Sequence, residues 1–403
     1  MDSADMRSPF NADYPGRPHP VLDELRGTCP VTQVRTPAGR PVWLVTTCEL
    51  VRAGLTDPRL SLRPAPTATG LAGGVRDGNL IRQEPPQHTR LRRLITPSFT
   101  PRSIAARRSA IESVAARVLG SLNHTDHAAG IDLMADFVHP FTFANICDVF
   151  GIEAARQAEL FHWAAVLFSP ASRGKARRPA FDRICQFMAA EIDRRLRQPG
   201  DDVLSAIVTA WASDDEVNRE EVNSVSSTVL LSGYESTAQM LGMSVVALLT
   251  HPDELDRLRA EESLVPAGVE ELLRFNTPGP SGTPRTATDD IRLAGVVIPA
   301  GDRVLLSIDA ANHDPAEHHD PHTLDLDRPT AGRHVSFGLG RHYCPGAALA
   351  RVELEVALTA LLRRFPRLAL ARGVERLCWQ GSHVNRSLAA LPVHLGAPST
   401  DPA

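Results

Sequence analysis

The spacing of apolar residues changes several times along this chain, and each change marks a new kind of element. Val31 to Arg35 and Pro41 to Val45 alternate apolar with polar positions around Thr36-Pro37-Ala38-Gly39, the pattern of two strands joined by a turn. Thr47 then places a side-chain oxygen where it can cap a helix near Glu49 to Thr56. Between Arg63 and Asn79 Pro, Gly and Thr displace any period, which predicts a long loop of the kind that often carries function. From His88 to about Thr250 apolar residues recur at three- and four-residue spacing, with breaks at Pro101, Pro170 and Pro199. Helices therefore dominate. The longest run, about Glu220 to Thr250, ends at His251-Pro252 and is long enough to cross the middle of a domain. A helix near Gly268 to Asn276 precedes alternating segments at Pro284 to Thr288, Ile291 to Ile298 and Arg303 to Asp309, which predict a second sheet. The last helix, Ala347 to Phe365, starts directly behind Cys344, and a strand-like tail ends near Leu395.

Composition narrows the class. With 403 residues, 43% hydrophobic residues and a formal net charge of −4, the chain can bury a large core. No Gly/Ser tract, charge block or composition shift marks a linker, so one large domain is expected. No stretch approaches the roughly 18 apolar residues that span a bilayer, and residues 1–20 are polar and proline-rich, which predicts a cytoplasmic protein free of membrane. The mild acidity argues against a nucleic-acid partner. Lys175 is the sole lysine among 43 basic residues, a bias that a GC-rich genome explains without mechanism. The six cysteines form no Cys-x-x-Cys pair; five read as core residues, and Cys344 is the exception. The cluster His318-His319-Asp320-Pro321-His322 has no metal-site spacing and reads as a solvated loop.

Cys344 ends a Gly-rich loop, Phe337-Gly338-Leu339-Gly340-Arg341-His342-Tyr343-Cys344-Pro345-Gly346, immediately before a helix. Backbone N–H groups and the positive end of that helix favour a thiolate, the form that ligates metal. A dinucleotide-binding loop is the rival, but Tyr343 stands where its third glycine belongs and no βαβ unit surrounds it. Pro345 has no N–H to direct at the sulfur, which should leave more electron density on it; it also pre-sets φ for the helix start.

The loop resembles the haem-binding signature of the cytochrome P450 family, Phe-x-x-Gly-x-[His/Arg]-x-Cys-x-Gly, and the likeness to bacterial members runs on through Ala347-Ala348-Leu349-Ala350-Arg351. That resemblance implies a mostly α (α+β) fold, a large helical bundle around haem b with small β-sheets at one side, in which residues 1–403 form a single catalytic domain with a core at about 30–395 and a loosely ordered start. It implies Cys344 as the axial iron ligand, with Phe337, Gly338, Pro345 and Gly346 around the cofactor. Glu271 and Arg274 resemble the family's Glu-x-x-Arg pair, which braces the core without doing chemistry. His88 and Arg92, four apart on a helix, resemble the pair that binds a haem propionate, and Arg285 and His342 match the other propionate partners.

Leu230-Leu231-Ser232-Gly233-Tyr234-Glu235-Ser236-Thr237 resembles the family's oxygen-activating segment. Glu235 would deliver protons and Ser236 would position oxygen and water, with Gly233 beside the cofactor. Ser236 departs from the usual threonine and loses its χ1 stiffness. Ser232 stands where Ala or Gly is usual. Helical spacing from Ser236 adds Thr228, Leu231 and Ser232 to the substrate pocket, and similarity adds Pro280, Ser281 and Val384. With no flavin or iron–sulfur motif in the chain, electrons would come from a ferredoxin and its reductase fed by NAD(P)H, docking at arginines such as Arg333 and Arg341. The implied activity is monooxygenation of a small organic molecule of secondary metabolism by a monomeric bacterial enzyme. A peroxide-using haem-thiolate enzyme would lack the acid–alcohol pair, and a non-catalytic haem sensor would need no proton relay.

Overall fold

Alternation builds strands where it predicts them. Val31–Arg35 and Pro41–Val45 pair antiparallel, from Val31 opposite Val45 to Arg35 opposite Pro41, and the Thr47 side chain accepts from the Leu50 N–H at the start of the helix Cys48–Thr56. The computed structural model describes residues 9–10, 18, 20–63, 79–122, 130–169, 172, 174–382 and 385–397. Most of the expected loop after Arg63, together with Pro170 and Val384, lies outside the described residues.

The chain divides into two compact units. One draws on Met1–Gly73, Gly242–Cys344 and Leu368–Leu391; the other draws on Gly74–Leu241, Pro345–Arg367 and Pro392–Ala403. In the first, the two separate sheets predicted from sequence are one. Its five strands run in the order Val31–Arg35, Pro41–Val45, Arg303–Leu306, Arg285–Ala287, Leu60–Ser61. The junction is a parallel pairing of Trp43, Leu44 and Val45 with Val304, Leu305 and Leu306. Val304, Leu305 and Leu306 are all buried, and a strand apolar on both faces belongs inside a sheet, not at the rim of a new one.

Two further expectations change here. Ile291 to Ile298 is a hairpin, Ile291–Leu293 against Val296–Ile298, reversed at Ala294 and Gly295, which both have positive φ (46° and 80°). The strand expected to reach Asp309 stops at Leu306, because Ser307 accepts from the Ala310 N–H and opens the short helix Ile308–Asn312.

The first unit contains a buried ionic centre. Glu271 and Arg274 lie on the helix Val265–Phe275 and are both fully buried, so this is no surface pair. The Arg274 guanidinium donates to both Glu271 oxygens at 2.6 and 2.7 Å, and to the carbonyls of Asn312 (2.8 Å) and Pro321 (2.9 Å). Arg328, which sequence reading missed, donates to Glu271 at 3.0 Å, and the Asp325 N–H donates to it at 3.1 Å. A buried ion pair is tolerable only when its remaining donors and acceptors are used, and here they are.

The second unit is helical: Gln87–Ile95, Arg108–Ser121, His139–Val149, Ala154–Phe168, Gly174–Arg197, Val203–Trp211, Ala347–Arg364 and the Arg219–Thr250 helix as far as Leu241. The uniform helical pattern from His88 hides a short strand, Ile131–Asp132, which pairs with Pro392–His394. Phe143, Phe161 and Phe168 surround Tyr234 with ring centroids 5.2–6.2 Å away, anchoring the long helix to two neighbours.

Two residue-level expectations are corrected. Cys29 and Cys378 are exposed, so only Cys48, Cys147 and Cys185 are core cysteines. The histidine cluster is not uniformly solvated: His318 is buried with its ring nitrogen 2.9 Å from the Thr330 hydroxyl, and His322 stacks on His313. No helix among the described residues is long and apolar enough to cross a membrane.

Removing one partner from the ionic centre leaves a buried charge without its counter-ion. Arg274→Ala is expected to cost about 3–5 kcal/mol of stability, read as a large drop in urea midpoint. A midpoint within experimental error of the parent would show that the centre is not a mainstay of the fold.

Candidate active site

The cysteine loop is held by its own backbone. The Cys344 N–H donates to the Phe337 carbonyl at 2.9 Å, the Tyr343 N–H to Gly340 at 3.0 Å and the Gly338 N–H to Val335 at 2.8 Å. Gly338 and Gly340 have φ of 71° and 73°, a conformation that side-chain-bearing residues resist, so glycine is required at both whatever they adjoin. The loop therefore ties off at residues 337 and 344. Cys344, Phe337, Gly338 and His342 are half-buried, as are Pro345 and Gly346, and Gly346 precedes the first turn of Ala347–Arg364.

The loop is also connected to the ionic centre. Asn312, whose carbonyl accepts from Arg274, uses its side-chain amide to donate to the Ser336 hydroxyl (2.7 Å) and to accept from the Val335 N–H (2.8 Å). Ser336 in turn donates to the Leu273 carbonyl at 2.6 Å. The polar path from Glu271 thus ends one residue before Phe337.

Arg285 is buried in the first unit and one of its nitrogens donates to the Leu60 carbonyl at 3.0 Å, so part of this predicted propionate partner serves its own sheet. Pro280 and Ser281 lie in the bend after Val265–Phe275, held by the Asp309 N–H to Pro280 (2.9 Å) and the Arg386 N–H to Pro278 (2.8 Å). Arg386 and Asp309 also pair through their side chains at 2.7 Å, and burial pushes the Asp309 carboxyl above its ordinary range in spite of that cation. Neither was singled out from sequence, since 77 residues separate them.

In the second unit His88 and Arg92 share a face of Gln87–Ile95; His88 is buried and Arg92 half-buried. Glu235, Ser236, Ser232, Thr228 and Gly233 follow one another on the long helix. Ser232 and Ser236 are exposed and Thr228 half-exposed in the middle of a helix whose neighbouring turns are buried, whereas Leu231 is buried. Ser236 donates to the Ser232 carbonyl at 2.7 Å, the local bond typical of a helix serine. Gly233 has a packing reason of its own, because a Cβ there would meet Ile146 at 2.8 Å.

Burial raises the Glu235 carboxyl above its ordinary range, opposed by a hydrogen bond from the Gln239 amide at 3.0 Å. Beside it, Tyr234 places its hydroxyl 2.9 Å from His139 Nδ1; burial raises the phenol and lowers the imidazole to about 4. Both are neutral at physiological pH. Sequence reading missed Gln239, although its i+4 spacing from Glu235 was there to be read.

These residues fit a haem. The first unit supplies a half-buried thiol just ahead of a helix and the buried Arg285 guanidinium, and the second supplies the buried His88 imidazole, groups of the kinds suited to iron and to propionate carboxylates.

Comparison with known proteins agrees. The cytochrome P450 family model matches residues 148–376. The chain is 36% identical to 6-deoxyerythronolide B hydroxylase of Saccharopolyspora erythraea, covering 92% of this chain and 94% of that one. It is also 36% identical to mycinamicin IV hydroxylase/epoxidase of Micromonospora griseorubida, covering 98% and 100%. The tirandamycin C-bound structure of the P450 monooxygenase TamI superposes with a TM-score of 0.83 at 36% identity, over 93% of this chain and 96% of that one. From loop, helix and relatives together it follows that the chain belongs to the cytochrome P450 family.

Proposed function

We propose that this chain holds haem b through the Cys344 thiolate and inserts one atom of O2 into a C–H or C=C bond of a small organic intermediate of bacterial secondary metabolism. The observation that carries this reading is the Cys344 loop, closed by the bond to Phe337 directly ahead of a helix, in a chain of this family. For hydroxylation, a substrate C–H, O2, two electrons and two protons give an alcohol and water. When bound, the haem supplies the activation of O2, with the thiolate pushing electron density to favour O–O cleavage.

The remaining chemistry belongs to side chains. His88, Arg92, Arg285 and His342 would offset the desolvation of the propionates with charged donors. Glu235 would hold and release a proton, a task suited to a carboxyl whose burial brings its pKa nearer to neutrality. Ser236 would pass that proton on; its hydroxyl now donates to the Ser232 carbonyl and must turn from it to do so. Thr228, Leu231, Ser232, Pro280 and Ser281 would shape the substrate site together with Val384, which is outside the described residues. The names of the two relatives, hydroxylases of 6-deoxyerythronolide B and mycinamicin IV, support an oxygenated natural product as substrate. The electron source would be a ferredoxin and its reductase, and the working form a cytoplasmic monomer acting as one catalytic domain.

Reduced protein treated with carbon monoxide is expected to show the red-shifted Soret band of a thiolate-ligated haem, and Cys344→Ala is expected to lose it; a parent protein without that band ends this assignment. Glu235→Gln is expected to slow product formation by roughly 10²-fold with the carbon monoxide spectrum intact. Ser236→Thr is expected to raise the fraction of NADPH consumption that appears as product, because a β-branched side chain restricts the hydroxyl; unchanged coupling would rule out that stiffness argument. Pro345→Leu restores an N–H next to the sulfur and is expected to raise the haem reduction potential, measured by spectroelectrochemistry.

A further inference from the structure

We infer that Gln239 is the positioning residue of the proton-delivering carboxyl, holding Glu235 in one orientation through its side-chain amide. The inference rests on the proposed role of Glu235 and adds the residue that controls it. Gln239 Nε2 donates to Glu235 Oε1 at 3.0 Å, one helical turn away, and Gln239 is only 4% exposed. A buried amide on a helix is costly unless bonded. Here the bond goes to a group whose protonation state matters.

Nothing else described competes for that carboxyl. Among the described residues no cation pairs with Glu235, and burial and the Gln239 N–H are the influences on its protonation. Tyr234, the preceding residue on the helix, and His139, which meets the Tyr234 hydroxyl from His139–Val149, are bonded to each other and neutral. An N–H donor stabilises the carboxylate over the acid. Gln239 therefore does two things at once: it fixes the rotamer and eases loss of the proton. Without it, burial acts unopposed and the proton is held more tightly.

The test uses haem-loaded protein. Infrared titration follows the protonated carboxyl band of Glu235, identified by its loss in Glu235→Gln. Gln239→Met, close in shape but without the donor, is expected to move the midpoint upward by about one pH unit, the size of one hydrogen bond to a charged group. Oxygen consumption by protein reduced through a ferredoxin and its reductase, with no substrate added, should shift its pH dependence in the same direction. A stationary midpoint in Gln239→Met overturns the inference. Should that variant not yield haem-loaded protein, Gln239→Lys carries the same test with the opposite sign, a downward shift. The two readings fail separately: oxygen consumption unaffected by Glu235→Gln removes the proton-delivery role itself, whereas a slowed Glu235→Gln with an unmoved Gln239→Met midpoint removes only Gln239.

Discussion

The described first unit depends on a carboxyl group buried where water cannot reach it and surrounded by hydrogen-bond donors. Glu271 accepts from Arg274, Arg328 and the Asp325 N–H, and the two guanidiniums reach onward to the carbonyls of Asn312, Pro321 and Thr323. The Asn312 carbonyl ends a short helix and those of Pro321 and Thr323 lie in irregular backbone, so none has a ladder partner of its own to satisfy it. The ion pair is thus less a bond between two side chains than a frame on which the irregular chain after Asn312 is hung. Asn312 and Ser336 carry the frame to residue 336, so the Cys344 loop inherits its position from a charge it never touches. Such support suits the ligand role proposed for Cys344, because rigid neighbours keep a ligand from relaxing away.

The long helix handles buried polarity differently. Glu271 is surrounded by donors, while Glu235 has one, a neutral amide. A fully satisfied carboxylate is locked; a sparsely satisfied one keeps a raised pKa and can change state at small cost. The number of donors each receives therefore separates the bracing role of Glu271 from the proton-delivering role proposed for Glu235. The same contrast applies to Ser236, whose hydroxyl is committed to the Ser232 carbonyl by a bond that a rotamer change breaks without disturbing the helix.

Local signals in the sequence were legible where the deciding interaction is local. The strands at Val31–Arg35 and Pro41–Val45, the Thr47 cap, the stop at His251-Pro252 and the helix behind Cys344 all follow from neighbours within a few residues. The single sheet did not follow, because pairing of Trp43 with Val304 spans most of the chain and periodicity carries no partner information. Nor did Arg328, which joins Glu271 across 57 residues, or Arg386 with Asp309. The hairpin within Ile291–Ile298 was hidden by an uncommon residue in the left-handed region, Ala294, where turn chemistry usually shows Asn or Gly. Of the site, the loop and the Glu235 segment were recognised by resemblance, whereas Gln239 went unread because a glutamine at helical spacing looks like solvated surface until its burial is known.

Exposure is uneven along the long helix. From Glu221 to Val246 its side chains are buried or half-buried except Ser232 and Ser236. A helix that polar and that buried would normally place its hydroxyls against carbonyls and close its surface with apolar groups. The two exposed positions are serines one turn apart, the Ser236 hydroxyl bonded to the Ser232 carbonyl, with Glu235 beside them. Under the role proposed for Glu235, hydroxyls suit these positions better than apolar side chains would, because a hydroxyl can accept and pass on a proton and a methyl group cannot. Serine at both positions is therefore what the proposed relay needs, in a helix that is otherwise buried or half-buried from Glu221 to Val246.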